Sequence, residues 1–223
     1  MRTWRLLREG VCPSEHNMLR DAQLYEQVAA GQLAGCLRIY NWTAPALTLG
    51  YNQKDFTAAD PSLDLPRYLR PTGGGAVLHS DDLTYALAVP TEGPLSGSLL
   101  EAYHAIATAF AAALQACGIA AELVERPAAY APVCFERASV HELRCAGHKI
   151  MGAAQHRGRG CLLQQGVLPL TVDADLMRRA FGAATPVPCG LREIKPDFSL
   201  EDFVAALIPA FADVLGVRLE AHS

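Results

Sequence analysis

Strand-like runs in this chain arrive in neighbouring pairs rather than one per helix, and that ordering restricts the fold more than any bulk property. Residues 36–42 and 46–51 are separated only by Thr43-Ala44-Pro45. The apolar run 76–78 ends in His79 and precedes the strand-like 83–89, so three glycines at 73–75 read as a turn feeding a hairpin. Residues 139–145 and 148–155 meet at Ala146-Gly147, and 161–170 follows. Short turn-rich links suit antiparallel pairing, whereas parallel strands need crossovers of a dozen residues or more. The order predicts an α+β (α/β) fold: one domain over 1–223 whose central, mostly antiparallel sheet is flanked by helices.

Helical spacing supplies the flanking layer. Ser14 is placed to cap a first helix whose apolar stripe is Met18, Leu19, Ala22, Tyr25, Val28 and Ala29, with Gly31 as its stop. The longest helix spans about 98–117, with Gly118 just past its end. A short helix is expected over 173–181. Ser199 and Asp202 resemble a capping box opening a last helix that Pro209 should kink or shorten. Residues 120–125 read as a strand, 127–137 as a loop, and 217–220 as a final edge strand.

Bulk properties exclude several functions. A net charge of −4 without a Lys/Arg block argues against nucleic acid as a partner. No stretch of 18 apolar residues is present, and the N-terminus lacks a signal peptide's apolar core; a cytoplasmic protein without a membrane partner is expected. The seven cysteines are odd in number and form no C-x-x-C pair, and the histidines scatter, so no metal site is expected. Cys36 and Cys117 read as core filler, while Cys134 and Cys189 follow proline-containing loops and are the better candidates for reactivity.

The segment Arg70-Pro71-Thr72-Gly73-Gly74-Gly75-Ala76-Val77-Leu78-His79 concentrates unusual chemistry. Consecutive glycines are entropically costly and suit close backbone approach or positive φ. With a cation at one end and an imidazole at the other, the segment could floor an acyl or phosphoryl site; a flexible surface turn is the plain alternative. Asp81 and Asp82 read as a solvated turn. Downstream, Lys149 stands in an otherwise apolar run flanked by Gly147 and Gly152, with Gln155 beyond. A lysine there is either a solvated edge residue or an inward charge held for a purpose.

Taken together, the Arg70–His79 segment, Leu83-Thr84-Tyr85, Gly147-x-Lys149-Ile-x-Gly152-x-Ala154-Gln155-x-Arg157 and Leu162-Leu163-Gln164-x-Gly166 resemble the lipoate–protein ligase and octanoyltransferase family. Asn17-Met18, Asp21, Trp42-x-x-Pro45 and Leu49-Gly50-Tyr51-x-Gln53 extend the likeness, which runs from about Trp4 to Leu170. The resemblance implies a biotin/lipoate ligase-type domain with a tunnel for a medium-chain acyl group. It further implies that Arg70, Gly73, Gly74, Gly75, Val77, His79, Gly152, Ala154 and Gln155 bind substrate, while Lys149 reaches the acyl carbonyl.

Within that family a ligase activates lipoate with ATP and usually carries an accessory C-terminal domain of roughly a hundred residues. Only about fifty residues follow Leu170, so no accessory domain is expected. Cys134-Phe135, with Glu142 eight residues on and Lys149 seven beyond, resembles the nucleophile motif of the lipoate-ligase-like octanoyltransferases. The implied reaction moves octanoate from acyl carrier protein to a lysine of a lipoyl domain or glycine-cleavage H protein through a Cys134 thioester, with no metal or nucleotide cofactor. Four alternatives stay open: Pro188-Cys189-Gly190 as the nucleophile segment, the same chemistry moving octanoyl or lipoyl groups between lipoyl domains, an ATP-dependent ligase, and a non-catalytic carrier-binding protein.

Overall fold

A computed structural model describes residues 1–124 and 142–222. Cys134, Phe135 and the expected 127–137 loop lie outside the described residues, as does the start of the expected strand at 139. The elements in chain order are β1 (Arg2–Cys12), α1 (Ser14–Ala29), β2 (Cys36–Trp42), β3 (Ala46–Leu49), β4 (Arg67–Leu69), β5 (Val77–His79) and β6 (Asp82–Pro90). A 3₁₀ turn (Gly93–Leu95) leads into α2 (Leu99–Ala116), β7 (Glu122–Leu123), β8 (Leu143–Cys145), β9 (His148–Gly158) and β10 (Cys161–Pro169). The chain closes with α3 (Ala174–Phe181), α4 (Leu191–Ile194), α5 (Leu200–Leu215) and β11 (Val217–His222).

Among the described residues, eight strands form one sheet in the order β11-β1-β2-β6-β10-β9-β8-β7. Only the β11-β1 and β1-β2 pairs are parallel; every pair from β2 onward is antiparallel. The mixed, mostly antiparallel sheet flanked by helices is the architecture the strand order predicts.

Period-two alternation divides the sheet cleanly. Leu37, Ile39, Leu83, Tyr85, Leu87 and Val89 pack beneath α2 and α5. Cys36, Tyr40, Trp42, Ala86, Ala88 and Leu163 pack on the opposite face against Leu24, Tyr25 and Val28 of α1. Ser98 caps α2 in a reciprocal box with Glu101. Ser199 accepts from the Asp202 amide at the start of α5.

Five expectations need correction. The glycine segment does not feed a hairpin: β4 and β5 lie on either side of β3 in a separate three-stranded sheet, so residues 70–76 arch over β3. The strand after it, β6, belongs to the large sheet, the bend at Ser80 and Asp81 carrying the chain from one sheet to the other. Helix α1 is entered through Pro13 with no side-chain cap, and Ser14 is already helical. Its inward face is Asn17, Asp21, Leu24, Tyr25 and Val28, while Leu19 is exposed, because a buried cation on β2 requires the polar pair to face inward. Pro209 does not shorten α5, which continues to Leu215. Asp82 is buried rather than solvated, held by the side chain of Thr84 and the Ser80 amide.

Candidate functional site

The small sheet β4-β3-β5 stands over the α1 face of the large sheet, and a cavity lies between them, with about 400 Å³ of empty space including the solvent at its mouth. Its lining crosses four adjacent strands: Tyr40 and Trp42 on β2, Thr84 on β6, Gln165, Gly166 and Val167 on β10, and Gly152, Ala153 and Ala154 on β9. Three strand spacings make this a trough about 14 Å long. Thr48, Arg70, Gly74, Val77 and His79 roof it, and Met18 of α1 closes in beside β2. The walls are mostly apolar, with backbone exposed where the side chains are glycine and alanine.

Two features seat the roof. At Gly50 an added Cβ would stand 2.2 Å from the Gly74 carbonyl oxygen, so the glycine arch rests directly on the backbone after β3. Gly74 has φ of +84°, a conformation L side chains rarely adopt. Arg70, 7% exposed, turns under the arch. Its Nη1 donates to Thr48 O (2.7 Å) and Thr48 Oγ1 (2.8 Å), and its Nη2 donates to Gly73 O (3.0 Å) and Gly75 O (2.9 Å). All four Nη protons are thereby spent on shaping the loop.

His79 is likewise embedded. Its Nε2 meets Thr48 Oγ1 at 2.8 Å, its Nδ1 meets Asp82 Oδ2 at 3.1 Å, and its ring stacks on Trp42 with centroids 4.0 Å apart. Thr84 donates to Asp82 Oδ1 at 2.7 Å and accepts from the Trp42 indole at 2.8 Å.

A second polar network braces the other side of the trough. Arg38, fully buried on β2, donates to Asp21 Oδ1 at 2.7 Å, to Asn17 Oδ1 at 2.8 Å and to Glu9 Oε2 at 2.8 Å. Asp21 Oδ2 accepts from Tyr40 at 2.8 Å and from Gln165 at 2.7 Å, and Gln165 Oε1 accepts from Thr72 at 2.8 Å. Burial pushes the Asp21 carboxyl above the usual aspartate range against the pull of Arg38, Gln165 and Tyr40. Burial and the Asp21 charge together push the Tyr40 phenol far up, so it remains a donor. Arg20 and Arg38, donating to Glu9, hold that carboxyl below the ordinary glutamate range despite partial burial. Glu9, Cys12 and His16 have ligand atoms within 4.8 Å of one another, but the two arginines on Glu9 oppose a cation there.

Lys149 is an inward charge. Its Nζ lies 2.8 Å from Glu142 Oε2, and both side chains are 5% exposed. A register shift explains its direction. Leu143 pairs with Met151 but Arg144 pairs with Lys149, so Ile150 is an extra residue. Ile150 and Met151 both enter the α2-side core. The bulge therefore turns Lys149 away from that core, onto the face that carries the trough. Lys149 does not itself line the cavity; it precedes Gly152 on the same strand by three residues.

Of the residues singled out in the sequence, Arg70, Gly74, Val77, His79, Gly152 and Ala154 are brought together around one cavity. Gly73 and Gly75 flank it as acceptors for Arg70. Gln155 is directed to the α2 face, where it donates to Gln164 at 2.6 Å and accepts from Arg157 at 3.1 Å. Cys189 lies outside the lining, with Sγ 3.6 Å from Glu193 Oε2; burial and that carboxylate push its thiol up. The buried Arg38–Asp21 pair was not anticipated, although a charge inside each of two apolar patterns on β2 and α1 is the signal that could have found it.

Known proteins place this geometry. The model of the lipoyl protein ligase A/B catalytic domain matches residues 13–212. Octanoyltransferase LipM of Carboxydothermus hydrogenoformans is 36% identical over 187 residues, covering 80% of this chain and 69% of that protein. Octanoyltransferase LipM of Kyrpidia tusciae is 32% identical over 249 residues, covering 99% and 90%. Among solved structures, lipoate-protein ligase A bound with ATP superposes with a TM-score of 0.75 at 21% identity, covering 100% of this chain and 90% of that one, a likeness of fold. The chain belongs to the lipoyl protein ligase A/B catalytic domain family, alongside relatives that are octanoyltransferases.

Proposed function

We propose that this acyltransferase moves an octanoyl group from acyl carrier protein to a lysine of a lipoyl domain or glycine-cleavage H protein through a thioester on Cys134. The observation that carries the reading is the trough. It is mostly apolar, and the Nη groups of Arg70 in its roof donate to Thr48 O, Thr48 Oγ1, Gly73 O and Gly75 O rather than to a phosphate. The names of the relatives, at 30–36% identity, support octanoyl transfer.

In the proposed reaction the octanoyl chain lies in the trough between Gly74, Val77 and His79 above and Gly152 and Ala154 below. The Cys134 thiolate attacks the thioester carbonyl. The tetrahedral intermediate expels the carrier thiolate and leaves an S-octanoyl cysteine. The neutral amine of the acceptor lysine then attacks, the Cys134 thiolate departs, and loss of a proton yields the amide. Lys149, held by Glu142, supplies positive charge for the developing oxyanion and for the thiolate. Burial and Glu193 disfavour a thiolate at Cys189, which supports the assignment to Cys134.

The test is transfer from octanoyl–acyl carrier protein to a lipoyl domain without ATP. Octanoyl-lysine on the acceptor is the expected product. Modification only with free lipoate, Mg²⁺ and ATP, with pyrophosphate released, would replace this reading with a ligase.

A further inference from the structure

The proton positions around His79 are fixed by the chemistry of its neighbours. The Trp42 indole can only donate, so Thr84 Oγ1 accepts from it and spends its own proton on Asp82. The Asp82 carboxylate accepts, so His79 Nδ1 carries a proton. On the other side Arg70 can only donate, so Thr48 Oγ1 accepts from Arg70 and offers its single proton to His79 Nε2. With a neutral imidazole the chain Arg70 to Thr48 to His79 to Asp82 has one consistent direction in which each of these protons has an acceptor. Every member is at most 7% exposed, so a reversed bond would leave a buried donor or acceptor poorly matched.

We propose that His79 is a positioning residue for the acyl trough: neutral, it holds Thr48 against Arg70 and locks the glycine arch, and protonated, it loosens that arch. A second proton on Nε2 would have to donate to Thr48 Oγ1. The threonine proton would then lose its acceptor, and a second cation would stand one hydroxyl away from the Arg70 guanidinium. Asp82 on β6 is the carboxylate that meets the ring and favours the proton; Arg70, acting through Thr48 of β3, opposes it. Trp42 of β2 covers the ring face. The consequence rests on the proposed octanoyl transfer: donor binding weakens as pH falls through His79 protonation, on the order of tenfold for one lost charged hydrogen bond.

The structure supplies two readouts that do not depend on activity. Trp42 is one of two tryptophans, and its ring stacks on His79, so in a Trp4→Phe background its fluorescence should step as the imidazole is protonated. Amide exchange over residues 71–76, taken as the ratio of wild type to His79→Gln, should rise below that step. Glutamine can accept from Thr48 and cannot be protonated.

The expected result is a shared midpoint for fluorescence, exchange ratio and donor KM, with kcat little changed, and loss of all three steps in His79→Gln. Asp82→Asn keeps the ring but removes its carboxylate partner and should displace the shared midpoint; it serves if His79→Gln does not fold. A flat exchange ratio across the fluorescence step, or an unchanged step in His79→Gln, would overturn the proposal. Absence of octanoyl transfer by the wild type at every pH would remove the proposed function instead, leaving fluorescence and exchange to decide the role of His79.

Discussion

Gly50→Ala isolates the seating of the glycine arch from every charged group near it. The new methyl would stand 2.2 Å from Gly74 O, where ordinary contact begins near 3.4 Å, and the obstructing atoms are backbone. The arch must therefore retreat by roughly 1 Å, a displacement that can cost about 10²-fold in rate when it misplaces a bound group. Arg70 bonds of 3.0 and 2.9 Å to Gly73 O and Gly75 O would stretch past hydrogen-bonding range. Overpacking costs about 1–3 kcal/mol, and carbonyls left unsatisfied cost about 1–3 kcal/mol. A total loss of about 2–6 kcal/mol is expected.

The assay pairs urea denaturation with kcat/KM for octanoyl transfer, using Leu207→Ala as a control. Leu207 is buried on the inward side of α5, on the other face of the large sheet, and its truncation costs a similar 2–5 kcal/mol without touching the trough. Gly50→Ala should lower kcat/KM about a hundredfold, while Leu207→Ala should leave it near wild type at a temperature where both are folded. Equal kinetics in the two variants would refute the close-approach argument.

Other perturbations follow from the buried charges and the thiols. Lys149→Met or Glu142→Leu alone should destabilise the fold by about 3–5 kcal/mol, because each breaks a buried ion pair from one side, and the double variant should recover much of that in denaturation while remaining inactive. Arg38→Met should cost a similar 3–5 kcal/mol, since it strands Asp21 and Asn17 in a dry core, read as a lowered urea midpoint. Ser62 and Arg179 depress the exposed Asp60 to about 2; its contribution is present above the ordinary carboxyl value of 3.8 and is lost as pH falls through about 2. Arg179→Ala should raise that titration, measured by NMR. Burial pushes the Cys36 thiol up to about 12, so it should resist alkylation at pH 8 until the protein unfolds.

Much of the fold was legible because alternation and turn chemistry are local signals. Cys36–Trp42 alternates between two cores, and Ser98 with Glu101 marks the start of α2 without ambiguity. The glycine segment misled as a hairpin because its partner strand, β3, precedes it by more than twenty residues, and nothing local records that pairing. The inward face of α1 was missed because Asn17 and Asp21 are polar, and only Arg38 on β2 makes their burial favourable. Lys149 could not be assigned a face from spacing, since a one-residue bulge at Ile150 reverses the alternation. The cavity residues on Arg70–His79 and Gly152–Ala154 were readable as glycine-rich motifs, whereas Thr48 and Thr84 owe their role to contacts across layers.

In the proposed reaction one cysteine holds the acyl group. Incubating the protein with octanoyl–acyl carrier protein in the absence of ATP, then measuring intact mass and mapping the modified peptide, tests this. The expected result is a single octanoyl addition at Cys134 that disappears in Cys134→Ala and persists in Cys189→Ala. An octanoyl group mapped to Cys189, or full transfer by Cys134→Ala, would contradict it.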